Sequence, residues 1–258
     1  MEFNDIKQHI ASVPYILPEL ADDLYHFIRA QRPERCLELG FAHGASSCYM
    51  AAALHETGAG HLDCVDLLEG LNWHKEPRIE ELLAKTGLAD YVSVHREHTS
   101  YTWFLKKQIE ARTADGRCEP LYDFCFIDGA KHFNVDGAAF FLVDKLLKPG
   151  GWILFDDLQW TYASKRAEGK RKTDGISMLT MGEDELNQPH IELVFELLVM
   201  QHPDYSDFTI KNDWWAWAHK APGSKSVNFI YSEEFTRKRA AQQAAGRRFR
   251  KPFTHPTT

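Results

Sequence analysis

Between residues 33 and 157 five short apolar runs alternate with helix-like segments, and this alternation restricts the fold more than any other feature of the chain. The runs are Arg35 to Gly40, His61 to Asp66, Tyr91 to His95, Tyr122 to Asp128 and Trp152 to Asp156. Between them, Ser46 to Thr57, Arg78 to Thr86, Thr99 to Ala111 and Val135 to Leu147 read as helices. Gly58 and Gly87 stop the first two, and Lys148-Pro-Gly-Gly151 closes the last. Strands this short and apolar suit a parallel sheet covered on both faces, so the expected class is α/β, doubly wound, with helices on both sides. Two later runs, Phe208 to Ile210 and Trp214 to His219, are joined by the turn-like Lys211-Asn-Asp213. They predict an antiparallel addition at the sheet edge. The total is seven strands, mostly parallel, the last antiparallel.

The flanks differ from this core. Residues 1–32 form an N-terminal helical segment. Pro14 and Pro18 interrupt it, and Leu20, Leu24, Phe27 and Ile28 then follow helical spacing. Residues 161–180 are polar, basic and glycine-containing, and are expected as a mobile loop, a candidate lid. Ile191 to Gln201 is an amphipathic helix. Residues 221–258 are expected as a basic helix and tail, beginning near Ser232. The core domain therefore spans 33–220, in keeping with a chain of 258 residues.

Charge and cysteine usage exclude several classes. The formal net charge of -7 disfavours a general nucleic-acid binder. Two basic stretches, Lys165 to Lys172 and Arg247 to Lys251, are either solvated segments or contacts for an anionic molecule. Five cysteines without a C-x-x-C pair read as reduced thiols, neither a disulfide framework nor a zinc site. The opening MEFNDIKQHI carries charges and no apolar centre, and no run of about 18 apolar residues occurs, so a cytoplasmic protein with no membrane contact is expected.

In sheets of this kind ligands bind beyond the carboxyl ends of the strands. The first strand ends Glu38-Leu-Gly40-Phe41-Ala-His43-Gly44-Ala-Ser46. Gly40 permits a sharp turn, Gly44 permits close approach of backbone to a ligand, and the next helix offers free N–H groups. The G-x-x-x-G spacing is not the dinucleotide fingerprint, and no Walker lysine follows. A tight turn without a ligand is the other reading. Asp66, ending the second strand, either holds ribose hydroxyls or caps a loop. Together, Glu38 and Asp66 favour an adenosine-type ligand carrying positive charge over a diphosphate. The fourth and fifth strands end in Asp128 and in Asp156-Asp157. Three carboxylates at neighbouring tips would repel one another without a cation, and oxygen donors suit Mg²⁺ or another hard divalent ion. The alternative is a hydrated, capped loop. Lys131 and His132 lie beside these acids. Either is a candidate to take a proton from an acceptor hydroxyl, or to serve only as a surface contact or cap.

These motifs resemble those of the class I S-adenosylmethionine-dependent methyltransferases. Within them the chain looks like the metal-dependent small-molecule O-methyltransferases, of catechol and caffeoyl-CoA type and the related antibiotic- and sugar-modifying group. The resemblance implies a Rossmann-like methyltransferase fold. It implies that Glu38, Gly40, Phe41, His43, Gly44 and Ser46 surround the methionine part of S-adenosyl-L-methionine and that Asp66 binds the ribose. By position, His98 falls near the adenine. Asp128 would border the cofactor and, with Asp156 and Asp157, hold Mg²⁺. Lys131 or His132 would be the base. The implied reaction moves a methyl group to a hydroxyl of a small molecule, and a homodimer is the family-level expectation. Two other readings stand beside it: a metal-independent methyltransferase acting on nitrogen or another acceptor, and an inactive cofactor fold that serves as an interaction partner.

Overall fold

The structure is a computed structural model, and it describes residues 1–222. The expected basic helix and tail, including Arg247 to Lys251, lie outside the described residues. The central sheet is built from β1 (Arg35–Leu39), β2 (His61–Leu67), β3 (Val92–Glu97), β4 (Tyr122–Ile127), β5 (Leu147–Phe155), β6 (Tyr205–Lys211) and β7 (Trp215–Lys220). Their spatial order is β6-β7-β5-β4-β1-β2-β3. β1 to β5 pair in parallel, and β7 inserts antiparallel between β5 and β6. The expected seven-stranded, doubly wound sheet with an antiparallel last strand is present.

Apolar residues clothe both faces. On one lie α1 (Phe3–Ile10), α2 (Pro18–Gln31), α3 (Ala45–Thr57) and α4 (Ile79–Thr86); on the other lie α5 (Tyr101–Ala111), α6 (Phe133–Leu146) and the helix from His190 to Val199, whose second half is a π-turn. Residues 45–54 of α3 are buried without a break. A helix apolar on all sides is a core helix, and the small side chains of Ser46, Ser47 and four alanines let it lie close against the sheet. Gly44 caps its start at φ 90°.

Two segments differ from the sequence reading. Residues 148–151, expected as a turn before β5, lie inside that strand as a bulge: Tyr122 pairs with Leu147, but Phe124 pairs with Trp152. The segment 161–180, expected as a loop, contains α7 (Tyr162–Ala167) and a small hairpin that pairs Lys172–Thr173 with Ile176–Ser177. Asp174 and Gly175, at φ 46° and 81°, supply the left-handed pair that such a two-residue turn requires. Tyr162, Met178 and Leu186 form a small core beneath it. No helix among the described residues is long and apolar enough to cross a membrane.

The ladder continues past the strand ends. Gly40 N–H donates to Val65 O at 2.8 Å, Asp128 N–H to Leu39 O at 2.8 Å, and Asp156 N–H to Ile127 O at 3.1 Å. These bonds bring the tips of β1, β2, β4 and β5 to one edge, around the point where strand order reverses at β1.

Candidate active site

A cavity of about 900 Å³ opens over that edge. Of the residues expected at a site, Gly40, Asp66, Asp128, Lys131, Asp156 and Asp157 line it. Gly40 has φ 90°, and a Cβ there would fall 2.1 Å from the carbonyl oxygen of Asp128. Only glycine lets the β1 and β4 turns approach this closely.

The remaining residues of the first turn support it from below. Glu38 is fully buried, and its two carboxylate oxygens accept the hydroxyls of Ser46 and Ser47. Burial raises its pKa to about 7 against the opposing effect of the two serines. The Phe41 ring lies under the Arg96 guanidinium, 5.3 Å away. His43 Nδ1 is 2.8 Å from Pro77 O, and its ring stacks on Tyr15. A Cβ at Gly44 would meet Ile79. Asp66 lines the cavity but also caps the turn: one oxygen accepts the N–H groups of Phe41, at 3.1 Å, and Ala42, at 2.8 Å, and the other accepts that of Leu67.

Two expected contacts lie elsewhere. His98 is exposed just beyond β3, while its neighbours Thr99 and Ser100 line the cavity. The His132 ring faces His190, 5.4 Å away, and lies 3.9 Å from Glu185. Lys131 adopts φ 56°, and its side chain alone of this pair lines the cavity.

The acids of β4 and β5 converge. Asp128, Asp156 and Asp157 present oxygens within 4.8 Å of one another. Lys131 Nζ stands 3.0 Å from Asp157 and 3.5 Å from Asp128. Burial raises the pKa of Asp156 to about 7, with Asp157 adding repulsion, and Asp128 is raised well above the usual range by burial and then by Asp156. Burial works against the Lys131 ammonium, but Asp157 and Asp128 outweigh it and hold its pKa well above the ordinary value. Such a centre attracts cations and steadies an oxyanion that forms beside the ammonium.

Residues 37–158 match the model of a family described as a methyltransferase domain. The sheet has the Rossmann-like fold of the class I methyltransferases. No curated protein matches the sequence. Solved structures of similar fold include the O-methyltransferase TomG of Streptomyces achromogenes, in complex with SAM, at 18% identity and TM-score 0.54, covering 84% of this chain and 88% of that one. An O-methyltransferase of Bacillus cereus in complex with SAH has 19% identity and TM-score 0.57, with coverage of 85% and 92%. The SAH-bound Podospora anserina methyltransferase PaMTH1 has 17% identity and TM-score 0.57, with coverage of 84% and 86%.

Part of the wall of the site comes from outside the matched segment. Tyr15, Ile16 and Leu17 line one side, and Trp160, Lys165, Lys170 and the 172–177 hairpin line another. Lys172 bridges to Glu69 at 2.7 Å and lies over the Trp73 ring. Sequence reading singled out the lysines but missed Tyr15. Its φ of 80° is strained for an aromatic residue, and the flanking Pro14 and the Ile-Leu-Pro18 run marked only a break between helices.

Proposed function

We propose that the chain is an S-adenosyl-L-methionine-dependent methyltransferase that methylates a hydroxyl of a small molecule with help from a divalent cation. One observation carries this reading: a single cavity joins the Gly40 turn and Asp66 to the Asp128, Asp156, Asp157 set and Lys131. O-methyltransferases among the solved structures of similar fold support it.

The residues present fit both groups. Gly40 leaves bare backbone where a side chain would fill the turn, and Asp66 and Thr99 border the same space. When bound, the cofactor supplies an electrophilic methyl group on a sulfonium. Three carboxylate oxygen donors within 4.8 Å suit Mg²⁺, which supplies charge that favours an ionised acceptor oxygen.

The chain's own residues do the rest. The cavity orients the acceptor oxygen and limits water around it. Asp157 and Asp128 beside it hold the proton on Lys131, and in that state it stabilises the acceptor oxyanion by hydrogen bonding. Once that pairing is relieved, the ammonium can release its proton to solvent, and the resulting neutral amine takes the hydroxyl proton. His132 faces His190 and Glu185 and does not line the cavity, which favours Lys131 over it as the base.

Calorimetric titration of chelator-treated protein with S-adenosylhomocysteine, followed by mass spectrometry of a panel of hydroxylated small molecules incubated with enzyme and S-adenosyl-L-methionine, with and without Mg²⁺, tests the reading. Binding, and a mass gain of one methyl group that needs Mg²⁺, are expected. Absence of binding by folded protein would overturn it. A second reading, transfer without metal, rests on Lys131 already pairing with two of the three acids. Full activity after chelation would favour it.

A further inference from the structure

The turn that carries Lys131 is held by three side chains from three separate elements, none of which touches the carboxylate set. Asp136 of α6 is completely buried. One of its oxygens accepts the Tyr101 hydroxyl, and the other accepts the His132 N–H at 2.7 Å. The same Tyr101 hydroxyl accepts the Ala130 N–H at 3.1 Å. From the far side, the Tyr162 hydroxyl of α7 donates to the Ala130 carbonyl at 2.8 Å. The peptide groups on both sides of Lys131 are thus fixed by side chains, where a surface turn would leave them to water.

This arrangement carries costs that packing alone does not explain. A carboxyl group is buried, and burial raises its pKa to about 6. Lys131 is held at φ 56°, a left-handed conformation unfavourable for a lysine. Gly129 lies so close to the Tyr101 ring that a Cβ would fall 2.3 Å from it. Unfavourable conformations persist where the surroundings over-determine them, and they cluster at functional sites. Here the restraints converge on a turn whose long polar side chain enters the cavity.

We infer that Asp136, Tyr101 and Tyr162 are positioning residues that hold the 129–132 turn so that the Lys131 ammonium stays between Asp128 and Asp157. The inference rests on the proposed reading, in which Lys131 acts on the acceptor. Because Tyr162 belongs to the lid segment, the clamp also ties the placement of that segment to the placement of Lys131.

Residue-resolved reductive methylation of the full chain, with formaldehyde and cyanoborohydride and mass-spectrometric readout, tests the clamp without an acceptor. In the wild type Lys131 should react slowly, being largely buried and ion-paired. Asp136→Asn and Tyr162→Phe should each speed its modification about tenfold, while Lys107 and Lys172 keep their wild-type rates. Tyr162→Phe removes one hydroxyl and decides the matter if Asp136→Asn does not fold. A Lys131 rate within about twofold of wild type in folded variants, or a parallel rise at all three lysines, would overturn the inference. S-adenosylhomocysteine titration of the wild type is scored separately: lost binding removes the proposed function, whereas unchanged Lys131 protection removes the clamp.

Discussion

Lys131 Nζ lies 3.0 Å from the Asp157 carboxylate, and the same ammonium reaches Asp128 at 3.5 Å. Two of the three acids that would hold a divalent cation are therefore engaged by a cation of the chain itself. A metal ion entering this centre must displace that ammonium or share its partners. Lys131→Met should bind Mn²⁺ about tenfold more tightly than the wild type at pH 8, read from the free-ion signal in electron paramagnetic resonance. Equal affinities would show that the ammonium and the metal do not compete.

The same acids give the centre a pH dependence. Burial and then Asp157 raise Asp156 to about 7, and burial and then Asp156 raise Asp128 well above the usual carboxylate range, so protons contend with metal for these oxygens. Mn²⁺ affinity should strengthen steadily from pH 6 to pH 8 as protons leave these oxygens. A flat profile over that interval would count against a site made of these three residues.

Glu38 links folding to pH in a definite direction. Its folded pKa of about 7 lies above the ordinary value, so the folded state holds the proton more tightly than the unfolded chain. The resulting penalty is absent below about pH 4, grows as pH rises through the folded pKa and is complete above it, where it reaches about 3 kcal/mol. Glu38→Gln can still pair with both serine hydroxyls. The wild type should lose thermal stability from pH 5 to pH 8, and the variant should lose roughly 5 °C less. Parallel melting curves at all pH values would refute this assignment.

Gly175 sits at φ 81°, and a Cβ there would fall 2.7 Å from Leu67 at the end of β2. The hairpin therefore rests on the strand that carries Asp66. Gly175→Val should lift it, with a penalty of about 1–3 kcal/mol shared between strain and lost contact. Stopped-flow measurement should show S-adenosylhomocysteine leaving several-fold faster. An unchanged off-rate would mean that the hairpin does not cover the cofactor.

Much of this was legible in the chain. Alternating apolar runs gave the sheet, and the residues at their carboxyl ends gave Gly40, Asp66, Asp128, Asp156 and Asp157, because a parallel sheet must gather those ends at one edge. What escaped depends on contacts between distant elements. Tyr101 and Asp136 are 35 positions apart, and each sits in an ordinary helical pattern. Adjacent residues Lys131 and His132 could not be separated by spacing. Their divergence follows from the left-handed backbone at Lys131, which sends the next side chain toward His190. Asp66 showed the same limit: ribose ligand and loop cap were both open, and the structure displays the cap while leaving the residue at the cavity wall.

Tyr15 and Trp160 face the cavity from opposite sides of the matched segment, one before residue 37 and the other after residue 158. The parts of the wall that would meet an acceptor are thus encoded apart from the strand tips that would carry out transfer. Exchange of the stretch around Tyr15, or of the stretch from Trp160 to Ser177, would change which molecules are accepted without touching a strand of the parallel core. In such a chain substrate range is a replaceable part, and two proteins that share the central segment have no reason to share a substrate.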